Sequence, residues 1–241
     1  MHGIAFSDAH DEIIVTNPHA EAILFFRGSA NGEEPPVRVI QGPHTQLDGG
    51  PDWNTPDTVA YDPVNDEVYT RLRRGRGADA TPAILVFPRS GNGDIPPLRV
   101  LRGPLTQLHD PYQLAVDPAN NLLISASTGK LLIFNRTDSG NVAPRAVITG
   151  PNTGIGRGTP QQIQVDPPRR QFMVAVNGGI RVWNYTDNGD VAPKYAVVGP
   201  KTQMDGPRGL AINPKAKEIY VADGEKNMLF TYYVPHFFGL K

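Results

Sequence analysis

The sequence predicts an all-β chain folded as a β-propeller of about five four-stranded antiparallel blades, the last of them incomplete. A phrase close to QLAVDP (113–118) recurs as TVAYDP (58–63), QIQVDP (162–167) and GLAINP (209–214), with a looser copy, GIAFSD, at 3–8. The third residues of the copies are Ala5, Ala60, Ala115, Gln164 and Ala211, giving spacings of 55, 55, 49 and 47. Between copies lie short runs rich in Val, Ile and Phe, broken by Asp, Asn, Gly and Pro. Strand-like repeats of this length point to a propeller or solenoid.

The strand candidates follow in order. The first unit offers 3–6, 12–16, 22–26 and 37–40, and the second 58–61, 67–70, 83–87 and 98–101. The third offers 114–116, 122–125, 130–134 and 146–148, and the fourth 163–165, 171–175, 180–183 and 195–198. The fifth has 209–212, 218–222 and 227–234, then ends in PHFFGLK without a clear fourth strand. Each run has strand length and composition and is bounded by turn residues. Four such strands, A to D from the axis outward, form a sheet apolar on both faces, which needs a neighbour on each. The expected organisation is one domain over 1–241, with units near 1–44, 45–105, 106–152, 153–201 and 202–241. No spare strand at either end completes the last blade, so closure falls to face packing, to a weak outer strand at 234–240, or to chain beyond this sequence.

The connections repeat as well. Asp62-Pro63, Asp117-Pro118, Asp166-Pro167 and Asn213-Pro214 join A to B, where an Asx side chain can bond backbone amides and Pro fixes φ. SANGEEPP, SGNGDIPP, TDSGNVAP and TDNGDVAP join C to D, with Gly supplying positive φ. The D–A crossovers share Gly-Pro-x-Thr, beginning at Gly42, Gly103, Gly150 and Gly199. Its simplest role is a staple: Gly turns, Thr bonds locally, and Leu47, Leu108, Ile155 or Met204 packs inward. Asn135-Arg136-Thr137 and Asn184-Tyr185-Thr186 match the N-glycosylation triplet, yet both begin the same repeated turn.

Composition narrows the function classes. With 39% hydrophobic and 20% charged residues the chain suits a folded core, and its formal net charge of -1 gives no global attraction to nucleic acid or anionic membrane. No cysteine is present, which excludes disulfides and thiolate metal sites. No apolar run reaches the ~20 residues of a membrane span, and the N-terminus lacks the pattern of a signal peptide. The expectation is a soluble protein of unassigned compartment.

Both large departures from the repeat fall on the face bearing the B–C turns and D–A crossovers. One is the enlarged crossover 48–56 with Trp53; the other is the B–C insertion RLRRGRGADAT at 71–81, with Arg71, Arg73, Arg74 and Arg76. Insertions in repeat folds map to binding surfaces, and guanidinium groups beside an indole suit carboxylate, phosphate or an acidic protein surface. Asp48, His109, Arg157 and Asp205 occupy comparable points before successive A strands. Asp48, His109 and Asp205 are therefore the candidate ligands for a divalent cation such as Ca²⁺ or Zn²⁺ at a channel mouth. No HExxH, Gly-x-Ser-x-Gly, P-loop or dinucleotide fingerprint occurs.

GLAINP followed by EIYVAD (218–223), QLAVDP followed by LLISAS (122–127), and DEIIVTN with AILFF in the first unit resemble the NHL family of β-propellers. That resemblance spans nearly the whole chain and implies the fold. Its members include scaffolds, protein- and RNA-binding modules and some metal-dependent enzymes, commonly on six blades. Related lactonase-like propellers hold a divalent metal with acidic and Asn ligands, which this sequence does not match residue by residue. The expected function is a non-enzymatic binding or scaffold module for a protein or small anionic ligand, with no catalytic residues and no cofactor, and with self-association through incomplete closure as a further expectation. The alternative is a metal-dependent small-molecule hydrolase at the channel mouth.

Overall fold

A computed structural model describes residues 3–47, 56–72, 82–156, 158–176 and 178–239. Five antiparallel sheets follow one another along the chain, the fold of a five-bladed β-propeller. Blade 1 is β1 (Ile4–Ser7), β2 (Glu12–Asn17), β3 (Ala22–Arg27) and β4 (Arg38–Ile40); blade 2 is β5 (Val59–Asp62), β6 (Glu67–Leu72), β7 (Ala83–Pro88) and β8 (Arg99–Arg102). Blade 3 is β9 (Leu114–Asp117), β10 (Leu122–Ser127), β11 (Lys130–Asn135) and β12 (Ala146–Thr149); blade 4 is β13 (Ile163–Asp166), β14 (Gln171–Val176), β15 (Gly179–Asn184) and β16 (Tyr195–Val198). Blade 5 has three strands, β17 (Pro207–Asn213), β18 (Glu218–Asp223) and β19 (Met228–Tyr233). Among the described residues no helix is long and apolar enough to cross a membrane.

After β19 the chain does not make an outer strand. Pro235 opens a 3-10 turn, Pro235–Phe238, which buries Phe237 and Phe238. Phe237 stacks on Tyr195 at 5.3 Å between ring centroids, and its carbonyl accepts from Gln171 Nε2 at 2.6 Å. Apolar burial by two phenylalanines thus takes the segment that a fourth strand would need.

The chain forms two compact units, Met1–Leu123 with Phe134–Pro144, and Ile124–Ile133 with Arg145–Lys241. In the first, Ile14, Ile23, Phe25 and Ile40 pack with Val59, Val68, Leu85 and Phe87. In the second, Met173, Ala175 and Val182 pack with Leu210, Ile219, Val221 and Phe237. Strands β6, β10 and β14 are buried along their whole length, and the buried Glu67, Arg71 and Gln171 among them are each held by hydrogen bonds.

The repeated connections carry repeated hydrogen bonds. Asp62 Oδ1 accepts from the amides of Val64 and Asn65, both at 2.9 Å, and Asp117 Oδ1 from Ala119 and Asn120 at 3.0 and 3.3 Å. In each Gly-Pro-x-Thr crossover the Thr hydroxyl donates to the Gly carbonyl, at 2.6 Å for Thr45, Thr106 and Thr153 and 2.7 Å for Thr202. The amide two residues on, that of Leu47, Leu108, Ile155 or Met204, donates back to the hydroxyl. Asn135 and Asn184 begin turns closed by Asp138 and Asp187, whose carboxylates accept from the Asn amides at 2.9 and 2.8 Å.

A latch between successive blades completes the outer edge. The Gly93 amide of the blade 2 C–D loop donates to Val39 O at 2.6 Å, and the Gln41 amide donates to Gly93 O at 3.1 Å. Gly140 repeats this on Val100 and Arg102, and Gly189 on Val147 and Thr149. The residue after each Gly then captures the crossover: Asp94 Oδ1 accepts from the His44 amide at 2.7 Å, Asn141 Oδ1 from Leu105 at 2.8 Å and Asp190 Oδ1 from Asn152 at 2.7 Å.

An ionic network lies beneath the first two latches. Glu12 takes a bidentate pair from Arg38 at 2.8 and 2.7 Å and a further bond from Arg89 of blade 2 at 2.6 Å. Glu67 likewise receives Arg99 at 2.9 and 2.5 Å and Arg136 of blade 3 at 3.1 Å. The hydrogen bonds from Arg38, with those from Arg89, hold the Glu12 carboxyl below the usual range against the opposing effect of burial. Burial alone would raise the Glu67 carboxyl, but bonds from Arg99 and Tyr69 and the charge of Arg136 outweigh it and keep it low. Burial also pushes the Tyr69 hydroxyl up to about 12.

Two predictions follow from this framework. Folded-state carboxyls held below their unfolded pKa, roughly 4.3 for Glu, stabilise fully above that value, and the stabilisation is lost as pH falls through the folded pKa. Melting temperature should therefore drop on acidification below pH ~4.3, and Glu67→Gln, which removes the carboxylate shared by Arg99 and Arg136, should cost about 3 kcal/mol at pH 7 and flatten that drop. Gly103 has φ 126° and ψ 168°, and a Cβ there would lie 2.5 Å from Asn141 Oδ1, whereas Gly199 at φ 101° has nothing within 4 Å. Both Ala variants carry the ~1–3 kcal/mol of this backbone region, and Gly103→Ala should be the more destabilised in urea titrations because it also displaces a latch.

Candidate functional site

The end of the first unit that carries the B–C turns and D–A crossovers is organised by a buried ion pair. Arg71, near the end of β6, and Asp57, just before β5, are 4% and 5% exposed, and Arg71 Nη2 bonds Asp57 Oδ2. The guanidinium also lies 5.6 Å from the ring centroid of Tyr112, in the next crossover. Around it Thr70 Oγ1 donates to Thr58 O at 2.7 Å, and Thr58 Oγ1 donates to Gln113 Oε1 at 3.0 Å. Two successive crossovers and the end of a B strand are thereby fixed to one another by polar groups out of water.

The position of this pair along the chain matters more than its charge. Asp57 immediately follows the enlarged crossover 48–56, and Arg71 precedes the remainder of the basic insertion by one residue. The pair clamps the exit of one insertion to the entrance of the other. Of the five sequence-predicted contact residues, Arg71 is held in the sheet as this clamp, while Trp53, Arg73, Arg74 and Arg76 lie outside the described residues. Sequence patterning placed Arg71 with its neighbours in one basic run; it gave no sign that Asp57, fourteen residues away, neutralises it.

Of the candidate metal ligands, His109 belongs to the first unit and Asp205 to the second. Asp48 and Arg157 lie outside the described residues, and His109 is exposed. Asp205, also exposed, pairs with Lys226 Nζ at 3.4 Å. Among the described residues no cluster of three or more His, Asp or Glu side chains could hold a metal ion.

In the second unit Asp205 borders a groove of about 250 Å³ with Thr159, Gln161 and Arg208. Its wall is held by Asp223, which accepts from the amides of Asp205 at 2.8 Å and Gly206 at 3.1 Å, and from Glu225 and Lys226 at 3.1 and 3.0 Å. Burial would raise the Asp223 carboxyl, yet these four backbone amides hold it below the usual carboxylate range. Asp223 was not singled out from sequence. Its position at the end of a B strand, before Gly224, marks it as a turn acceptor at most.

No protein-family model matches the chain, and no curated protein matches it. Among solved structures, a chain of Kuenenia stuttgartiensis hydrazine synthase is similar in fold, with a TM-score of 0.58 and 11% sequence identity over 91% of this chain. The match spans 54% of that longer chain. At this identity the likeness shows the propeller fold.

Removing the clamp should be costly because it takes the guanidinium away from a buried carboxylate. Arg71→Ala is expected to lose about 3–5 kcal/mol in denaturant titrations, and Arg71→Met with Asp57→Leu should recover most of that loss.

Proposed function

We propose that the chain is a non-enzymatic binding module of the NHL-repeat type, recognising an acidic protein surface or a small anionic ligand through the segments 48–56 and 72–81. The observation that carries this reading is the Arg71–Asp57 pair under the Tyr112 ring. It fixes the roots of the two segments that interrupt the repeat, one bearing Trp53 and the other Arg73, Arg74 and Arg76. A buried footing of this kind supports a recognition surface by lowering the ordering cost of the segments it anchors. Trp53 serves as the apolar anchor and the arginines as carboxylate or phosphate forks. The formal net charge of -1 makes this a local basic feature on a balanced protein, which favours a compact acidic partner over a long polyanion.

The test uses a fluorescent Glu-rich peptide and inorganic pyrophosphate as probes, at low and physiological salt. Arg73→Glu with Arg74→Glu and Arg76→Glu should weaken peptide or pyrophosphate binding at least tenfold while leaving the melting temperature unchanged. Trp53→Ala should weaken it separately. Absence of binding to both probes, or equal binding by wild type and the triple variant, overturns the reading.

A further inference from the structure

Two of the latches between successive blades are built on Asn-Gly, a dipeptide in which a side-chain amide meets the least hindered main-chain nitrogen. Asn92-Gly93 lies on the edge of blade 1 in the first unit, and Asn188-Gly189 on the edge of blade 3 in the second. In such a pair the Gly nitrogen can attack the Asn Cγ. A carbon–nitrogen bond forms, the Asn side-chain nitrogen leaves as ammonia with the proton given up by the Gly amide, and a cyclic succinimide remains. Water then opens either carbonyl, giving aspartate or isoaspartate. In isoaspartate the main chain runs through the side-chain carboxyl and is longer by a carbon.

In each latch one residue of the preceding blade holds both reacting groups. The Gly93 amide donates to Val39 O at 2.6 Å, and Asn92 Oδ1 accepts from the Val39 amide at 3.1 Å. The Gly189 amide donates to Val147 O at 2.7 Å, and Asn188 Oδ1 accepts from the Val147 amide at 2.8 Å. The attacking nitrogen thus keeps its proton on a carbonyl, and the carbon it would attack is tied through its oxygen to the neighbouring strand. Burial does not shield these groups, because Asn92, Gly93 and Asn188 are exposed. Nor does a latch require Asn. On blade 2 Ser139 takes that position, its hydroxyl donating to Val100 O at 3.3 Å beside the Gly140 amide at 2.7 Å.

We propose that Asn92 and Asn188 are sites of spontaneous deamidation whose rate is set by the opening of the latch, so that the contact between blades protects its own most reactive dipeptides. Opening frees the Gly amide and the Asn side chain together, and each closure restores both bonds. Conversion to isoaspartate is one-way. The added main-chain carbon displaces the Gly from the Val carbonyl, and the latch no longer closes on both bonds. Each site depends only on neighbouring blades of its own unit.

The experiment is peptide mapping by mass spectrometry on the full chain aged in mildly alkaline buffer, native and in urea, following the amide-to-acid mass change and isoaspartate at both sites. In urea both should convert; in the native protein both should be slower by about tenfold or more. Single substitutions loosen one latch at a time. Asp94→Ala deletes the acceptor of the His44 amide and should speed Asn92 while leaving Asn188 at its wild-type rate. Asp190→Ala deletes the acceptor of the Asn152 amide and should do the reverse. Asp94→Asn, which copies Asn141 and keeps an acceptor oxygen, should retain the slow rate at Asn92. The isoaspartyl fraction, separated by ion exchange, should melt below the unmodified protein. Native rates equal to those in urea, an Ala variant that speeds both sites or neither, or an isoaspartyl fraction that melts like the unmodified protein would overturn the proposal.

Discussion

The outer strands of blades 1 to 3 each present a backbone edge left open by their own sheet, and much of the repeated chemistry in this chain answers that constraint. An exposed β edge templates unwanted pairing. Here the C–D loop of the following blade lays a single Gly along it, pairing that Gly on both its amide and its carbonyl. Gly is required because these positions have φ near +75°, as at Gly93 and Gly140. The next residue must be Asp or Asn, since its side chain accepts from the crossover amide. The crossover must in turn present that amide, and the Gly-Pro-x-Thr staple sets its direction. Three motifs that look independent along the sequence are therefore parts of one contact between neighbouring blades.

That economy bears on function. Most Asp, Asn and Thr side chains that a motif search would offer as chemistry are already committed to turns, staples and latches. Glu12 and Glu67 are committed to arginines of their own and the following blade. What departs from the repeat along the sequence is the enlarged crossover and the basic insertion. The Arg71–Asp57 clamp is informative because it belongs to the framework yet stands at the root of both insertions.

The likeness in fold to a solved structure at 11% identity fits this picture. A blade requires alternating apolar residues, turn punctuation and a paired edge, and many sequences satisfy those demands. Fold is then preserved by patterns that leave surface loops free to differ, so activity has to be argued from the loops themselves.

By itself the sequence determined the propeller class with about five repeat units, the short antiparallel strands within each, and the turn roles of the Asx-Pro and Gly-Pro-x-Thr motifs. These are local properties: period-two burial, fixed or positive φ, and side chains bonding within three residues. Only the tertiary structure decided that Asp94, Asn141 and Asp190 hold the preceding crossover, that Arg89 reaches Glu12 across 77 residues, and that Arg136 reaches Glu67 across 69. It also turned Arg71 from a member of a basic run into a buried clamp, and sent Phe237 and Phe238 into the core. Those outcomes depend on which blade lies against which. Local patterning encodes that each face needs a neighbour, and only packing settles which side chain the neighbour brings.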